Sequence, residues 1–351
     1  MLKYFAGSVL LVLLVAIYWF MSTGVSPRPE SPIIRGVHYV GISVNDLEQA
    51  ATLYQNAFNL TPVLSETLQN EEVLDSLVGR VGVHAKTRLM RSSNGQLRLM
   101  EFQGVPETIK NTPRQEVKGP GFAHVCLQVN QNTKAYNKFL AGGAEPFGSP
   151  EMLQLNSRNP VYYAYARDKN DTIFEVEHVD VEALQLDKPP KNDYRMRHIA
   201  LASPDIDRSV EFYSILLEQE HPRRLGRLLP LSGDKVDGVS GLPDAKLKMA
   251  FFQMRNMELE IAEYLSHPTE KPSTGRPLEA NGYNMIVFEV DNMQAAKALL
   301  LKAGASIVSE SLSIDGGPIM FARDLDGNLL GFQVLPKESP LSAAQFVDNG
   351  I

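Results

Sequence analysis

The sequence predicts an α+β fold built from four related modules, and three observations support this. Three of the seven histidines stand in similar short strands: His38, His124 and His198. Residues 79–102 align without a gap with residues 241–264, so the two halves of the chain repeat with a shift of about 160 residues. A shorter match relates residues 121–124 to residues 282–285, which indicates two modules in each half.

Each module is predicted to contain a strand, then a helix, then several strands. Asp46 suits the N-cap of the first helix, because Gln49 three residues later completes a capping box. The glycines in Ala141-Gly142-Gly143 and Ala303-Gly304-Ala305 are expected to end the second and fourth helices. Asp326-Gly327-Asn328 marks a hairpin turn. The strands are short and half apolar, which favours mainly antiparallel sheets.

Composition limits the class of protein. The chain has 351 residues, 44% hydrophobic and 21% charged, which is ordinary for a globular protein of two domains. A net charge of −7 argues against nucleic-acid binding, which needs concentrated Lys and Arg. The single cysteine, Cys126, excludes an intrachain disulfide and is expected to be a small apolar filler in a strand.

The N-terminus carries an uninterrupted apolar run, Tyr4 to Met21, that is long enough to cross a bilayer. We expect an uncleaved transmembrane anchor, with the globular part exported to the periplasmic or extracellular side. The alternative is a signal peptide and a secreted protein, since Ser22-Thr23-Gly24 offers small residues at a cleavage site. A proline-rich polar spacer follows the apolar run.

Three motifs together resemble the vicinal oxygen chelate superfamily. They are a histidine on the opening strand, a D-L-x-x-A-x-x-x-Y helix and an R-D-x-x-x-x-x-x-E closing hairpin. That superfamily includes glyoxalase I, methylmalonyl-CoA epimerase, extradiol dioxygenases and fosfomycin-resistance transferases. The resemblance implies βαβββ modules paired into two glyoxalase-like domains. The expected segments are an anchor at 1–24, a spacer at 25–32, a first domain at 33–182, a linker at 183–193, a second domain at 194–336 and a tail at 337–351.

The resemblance also implies metal ligands on the first and last strands of the modules. It assigns His38, His124 and Glu175 as ligands of a divalent ion in the first domain. The fourth position holds Arg98, which cannot coordinate a metal because it stays protonated. Glu101 could replace it only after a register shift. Two imidazoles and one carboxylate with open positions would accept Fe(II), Mn(II), Zn(II) or Ni(II).

The second half has fewer of these residues. His198 remains, but Met285 and Gly331 stand where the resemblance places a histidine and a glutamate, and Glu260 completes only a poor site. This half is therefore interpreted as structural, as a lid or as an interface.

The predicted function is a membrane-tethered metalloenzyme whose metal chelates a small oxygen-bearing substrate, either a lyase or isomerase or a dioxygenase. Glu175 is the expected proton carrier, and Arg98 could pair with a substrate anion or with Glu175. Tyr165 stands where an extradiol dioxygenase has a tyrosine, but the acid–base histidine of that group is missing upstream. The alternative is a non-catalytic small-molecule-binding or scaffold protein on the same fold.

Overall fold

The computed structural model describes residues 25–69, 72–188, 190–271 and 274–346. Within these residues no helix has both the length and the apolar character needed to span a bilayer. The predicted anchor, Tyr4 to Met21, lies outside the described residues.

Four modules follow one another along the chain, and their sixteen strands form two eight-stranded sheets. Sheet A contains the first and fourth modules: β1 (Ile34–Ser43), β2 (Thr61–Gln69), β3 (His84–Arg91), β4 (Gln96–Phe102), β13 (Gly282–Val290), β14 (Ser306–Ile314), β15 (Gly317–Arg323) and β16 (Leu329–Gln333). Sheet B contains the second and third: β5 (Gly121–Asn130), β6 (Glu145–Phe147), β7 (Val161–Arg167), β8 (Ile173–Val179), β9 (Tyr194–Ala202), β10 (Arg223–Leu225), β11 (Leu247–Gln253) and β12 (Glu258–Tyr264). The α+β prediction is confirmed.

The strand order is 14-15-16-13-1-4-3-2 in sheet A and 10-11-12-9-5-8-7-6 in sheet B. Each sheet is joined at its centre by an antiparallel pair, β1 with β13 and β5 with β9. Each sheet therefore combines strands from both halves of the sequence. This corrects the expectation that the two modules of one half form one domain. The first module instead shares a sheet with the fourth, and the second with the third.

The helices are short: α1 (Leu47–Phe58), α2 (Glu72–Val78), α3 (Glu107–Lys110), α4 (Ala135–Ala141), α5 (Ile206–Leu216), α6 (Asp234–Ser240) and α7 (Met293–Ala303). The predicted cap of α1 is confirmed, since the Asp46 carboxylate accepts the Gln49 N–H at 2.9 Å. Gly304 ends α7 in the left-handed region at φ 90°, as the sequence predicts. Gly142 is the C-cap of α4.

One apolar core is shared by all four modules. Buried side chains of β1, β5, β9 and β13 belong to the same cluster as the apolar faces of α1, α4, α5 and α7. Helices pack within each half, α1 against α4 and α5 against α7. Two buried tyrosines reinforce these contacts, because Tyr54 donates to Asp168 at 2.6 Å and Tyr213 donates to Asp324 at 2.8 Å.

Asparagines at equivalent positions of two hairpins connect the two sheets through hydrogen bonds. Asn94, in the β3–β4 hairpin, donates to the carbonyls of Met196 and Asn256 at 2.7 and 2.6 Å. Asn256, in the β11–β12 hairpin, donates to the Val37 carbonyl and accepts the Val37 N–H, both at 2.9 Å. The sheet faces opposite the shared core are called cup A and cup B below.

Candidate metal centre

Cup B brings together two histidines and two glutamates, one from each of the four central strands of sheet B. His124 lies on β5, Glu175 on β8, His198 on β9 and Glu260 on β12. Neighbouring strands place them side by side, because the register pairs β5 with β8 and β9, and β9 with β12. All four side chains are buried.

The four side chains converge on one point. The Nε2 atoms of His124 and His198 are 3.1 Å apart. The Glu175 Oε2 atom lies 3.0 Å from His198 Nε2 and 3.4 Å from His124 Nε2. A Glu260 oxygen lies 3.1 Å from His198 Nε2. His198 Nε2 is thus within hydrogen-bond distance of two carboxylate oxygens and of the His124 nitrogen, although an imidazole nitrogen carries at most one proton.

The two glutamates have different electrostatic surroundings. Burial raises the pKa of Glu175, but hydrogen bonds from His124 and His198 outweigh burial and hold that pKa well below its usual value. Burial also raises the pKa of Glu260, to about 7, and the negative charge of Glu175 adds to this effect against the opposing charge of His198. One carboxylate is therefore held ionised, and the other is easier to protonate.

The residues fit a divalent metal ion. Ligand atoms of His124, His198 and Glu260 all lie within 4.8 Å of one another. A cation at the centre could contact both imidazole nitrogens and the carboxylate oxygens, which one proton cannot bridge. Two imidazoles and two carboxylates suit Zn(II), Ni(II), Fe(II) or Mn(II) and leave positions of a six-coordinate ion open to a substrate. The Nδ1 atoms of both histidines are buried and have no hydrogen-bond partner in the part of the chain that the structure describes.

Aromatic side chains surround the cluster. The ring of Tyr165 lies 4.8 Å from that of His124, and Phe251 lies 6.1 Å from His198. Tyr165 and Tyr264 belong to an apolar cluster in this cup. Such walls lower the local dielectric constant, which strengthens interactions between charged groups.

A second layer of charge lies beside the four residues. The Arg197 guanidinium contacts the buried Glu177 and lies 3.4 Å from Glu258. Arg223 also reaches Glu258, at 3.6 Å, and stacks over the Phe251 ring at 3.8 Å. These arginines offset the negative charge of the outer carboxylates.

The structure does not bring His38 or Arg98 to this group. Both belong to sheet A, where His38 Nε2 lies 3.7 Å from Asp315 and Arg98 donates to Asp315 and Glu66. The expected trio of His38, His124 and Glu175 is therefore corrected, and Arg98 does not pair with Glu175. Tyr165, the other expected site residue, does lie beside His124.

The family assignment follows from two matches. A family model described as the glyoxalase/bleomycin resistance protein/dioxygenase superfamily matches residues 38–163, and another with the same description matches residues 195–332. The chain belongs to this superfamily. The resemblance seen in the motifs is confirmed, and the superfamily domains occur in tandem.

Individual members of the superfamily resemble parts of the chain. Human mitochondrial methylmalonyl-CoA epimerase is 26% identical over 134 residues, which are 38% of this chain and 68% of that protein. An ethylmalonyl-CoA/methylmalonyl-CoA epimerase of Cereibacter sphaeroides is 23% identical over 137 residues, which are 38% of this chain and 91% of that protein. The crystal structure of glyoxalase I from Zea mays superposes with a TM-score of 0.55 at 16% identity, covering 85% of this chain and 92% of that one. This last similarity shows a shared fold.

Cup A carries different residues at the positions equivalent to the four of cup B. Tyr39 lies seven residues before the cap Asp46, as His198 lies seven before the cap Asp205. Tyr39 rather than His38 is thus the counterpart of His198. The register agrees, because Gly41 pairs with Arg98 as Ala200 pairs with Glu260.

Apolar side chains close cup A. Met285 and Tyr39 belong to a buried cluster with Val287, Phe321 and other residues. Gly331 stands at the position of Glu175, and a Cβ there would lie 2.8 Å from Val287 and 3.0 Å from the Phe321 ring. The space that a glutamate side chain would need at this position is therefore occupied by Val287 and Phe321.

Sequence reasoning missed His198 and Glu260 as partners of His124 and Glu175. The sequence does contain a signal for this grouping, because the second and third modules each have one histidine and one glutamate at equivalent positions. It was not used because the modules were paired by their order in the chain. Glu101, considered as a replacement ligand, instead accepts the Leu47 N–H at 2.9 Å.

Proposed function

We propose that the protein is a metal-dependent lyase or isomerase of the glyoxalase and epimerase type, with its site in cup B. The observation that carries this proposal is the convergence of two imidazole nitrogens and two carboxylates on one buried point. His124, Glu175, His198 and Glu260 would hold the ion. When bound, the ion acts as a Lewis acid on substrate oxygens and stabilises negative charge that develops there.

The residues of the cup divide the remaining tasks. Glu175 contacts both imidazoles and keeps its negative charge, so it fixes the orientation of the histidines. Glu260 contacts the His198 imidazole. Because Glu175 has the orienting role, we assign the other carboxylate, Glu260, to take a proton from the substrate carbon next to a carbonyl and to return it. The surrounding aromatic rings lower the polarity of the cup, which strengthens the interactions between its charged groups.

The substrate class follows from the same chemistry. A substrate with two neighbouring oxygens can occupy adjacent open positions, and an acidic C–H beside a carbonyl can exchange its proton with Glu260. An acyl thioester bearing a neighbouring carboxylate, the type named in the epimerase relatives, meets both requirements. A hemithioacetal of a 2-oxoaldehyde meets them as well. The second carboxylate makes dioxygen chemistry less suitable, since the ferrous facial triad has one carboxylate.

Metal content of the purified full-length chain tests the proposal. We expect about one divalent ion per chain, lost in His124→Ala, His198→Ala and Glu175→Gln and kept in Glu260→Gln, which retains the other three ligands. His38→Ala is the matched control, because it removes a buried histidine from the closed cup and should leave the metal in place. Metal-free wild-type protein, or loss of metal only in the control, would favour a non-catalytic binding protein on the same fold.

Proton exchange tests the reaction itself. The metal-loaded protein should catalyse deuterium incorporation from D₂O at the carbon next to the carbonyl of methylmalonyl-CoA or of a 2-oxoaldehyde hemithioacetal. Glu260→Gln should abolish exchange, and His38→Ala should retain it. Absence of exchange with a fully metal-loaded protein would contradict the assigned chemistry.

We also propose that residues 1–24 tether the protein to a membrane, with the superfamily domains on the exported side. The support is the apolar run from Tyr4 to Met21 and the aromatic pair Tyr18-Trp19 near its end, which suits a bilayer interface.

A further inference from the structure

The only cysteine in the sequence lies beside the candidate metal centre. Cys126 is on β5, where it pairs in register with Glu175 of β8 on one side and with His198 of β9 on the other. Residues opposite each other on paired strands point to the same face of a sheet. The thiol therefore shares cup B with a glutamate and a histidine of the centre.

The sulfur of Cys126 lies close to ligand atoms of two residues of the centre. Ligand atoms of Cys126, Glu175 and His198 lie within 4.8 Å of one another, the limit that also holds for His124, His198 and Glu260. His198 belongs to both groups. Metal bonds of about 2.0–2.3 Å place two ligands on opposite sides of an ion up to roughly 4.6 Å apart. An ion bound by Glu175 and His198 can therefore also be reached by the sulfur.

The surroundings of Cys126 are polar, which corrects the expectation of an apolar filler. The thiol is fully buried, and burial raises its pKa well above the ordinary value, with the charges of Glu177 and Glu175 adding to the effect. The equivalent residue of cup A is Val287, which belongs to an apolar cluster. A thiol occurs only in the cup that keeps the four ligands, among the residues that the structure describes.

We propose that the Cys126 thiolate binds the metal of cup B together with Glu175 and His198, in place of one of the other two ligands, so that two positions of a six-coordinate ion stay open to substrate. This inference rests on the proposed function. Binding of the ion displaces the thiol proton to solvent and forms a sulfur–metal bond. A soft sulfur ligand shifts preference from Mn(II) towards Zn(II), Co(II) or Ni(II).

Cobalt substitution tests the proposal by a readout independent of activity. The full-length protein is loaded with Co(II), and its near-ultraviolet spectrum is compared with that of Cys126→Ser and Cys126→Ala. We expect an intense sulfur-to-cobalt charge-transfer band in the wild type and its complete loss in both variants. Since the chain has one cysteine, no other thiol can produce the band.

A matched control places the thiol in the other cup. Val287→Cys in the Cys126→Ser background should not restore the band, because cup A lacks the four ligands. X-ray absorption of the zinc-loaded wild type should show a sulfur scatterer at about 2.3 Å, absent in Cys126→Ser. Bound cobalt without the band, or a sulfur-free zinc shell, would overturn the cysteine proposal and leave the proposed function intact. Failure to bind cobalt or zinc at all would overturn both.

Discussion

The buried ion pair of cup A allows a quantitative prediction. Arg98 and Asp315 are both buried, with side chains 1% and 0% exposed, and their atoms approach to 2.5 Å. Replacing Arg98 by Met removes the cation that faces the buried Asp315 carboxylate and leaves the His38 imidazole, 3.7 Å away, as its neighbour. Burial lowers the pKa of His38, so this neighbour is a weak substitute for the guanidinium, and the loss costs about 3–5 kcal/mol. The variant also loses the stacking of Arg98 over Tyr39 at 4.8 Å, a smaller effect of about 1 kcal/mol. We expect Arg98→Met to lower the free energy of unfolding by about 5 kcal/mol.

A double variant separates the effect of the ion pair on the free energy of unfolding from the effect of packing. Asp315 has φ 53°, a left-handed conformation that Asn also tolerates, so Asp315→Asn removes the charge without backbone strain. The double variant Arg98→Met/Asp315→Asn should be no less stable than the worse single variant, because neither charge is left alone.

Equilibrium urea unfolding followed by circular dichroism measures these differences. Lys110→Met is the matched control, since Lys110 and Glu107 form an exposed pair, and it should cost less than about 1 kcal/mol. If the two single effects simply add in the double variant, or if Arg98→Met costs no more than the control, the reasoning about the closed cup is refuted.

Two further predictions concern other parts of the chain. His178 is buried and accepts the Tyr136 N–H. Burial lowers its pKa from 6.5 to about 4, so the stability that the neutral imidazole contributes is complete above about pH 6.5 and is lost as the pH falls towards 4. His178→Gln should flatten the pH dependence of the unfolding free energy over this range, and an unchanged slope would contradict this origin. For the N-terminus, we expect the full-length chain to remain in the membrane pellet after alkaline carbonate extraction and a chain lacking residues 1–24 to be released; a mature protein that lacks these residues would exclude the anchor.

The fold could be predicted from the sequence because its repeat is visible in local features. The cap Asp46, the glycine Gly304 and the hairpin around Gly327 each act on a few neighbouring residues, and the structure places all three as expected. Local sequence signals of this kind fix where helices and strands begin and end. They carry no information on which module pairs with which.

The site could be predicted only in part, because it depends on pairing and on register. His124 and Glu175 come from the same module, and their closeness follows from one parallel strand pair. His198 and Glu260 join them through the β5–β9 contact, which spans the boundary between the sequence halves. His38 was chosen for its residue type, although counting back from the cap Asp46 leads to Tyr39. A shift of one residue changes which side chain occupies a given position on a strand.

The two cups differ as sets of residues that follow strand pairing. The modules of sheet B retain a histidine and a glutamate each, while those of sheet A carry Tyr39, Arg98, Met285 and Gly331 at the same positions. A single lost ligand would leave the others as unpaired polar groups in a buried cup, which is costly. In cup A the remaining volume is filled by apolar packing, and the one buried cation is a guanidinium held by Asp315. Cup A thus has a buried guanidinium where cup B has Glu260, and within the described residues only cup B brings two histidines and two glutamates together.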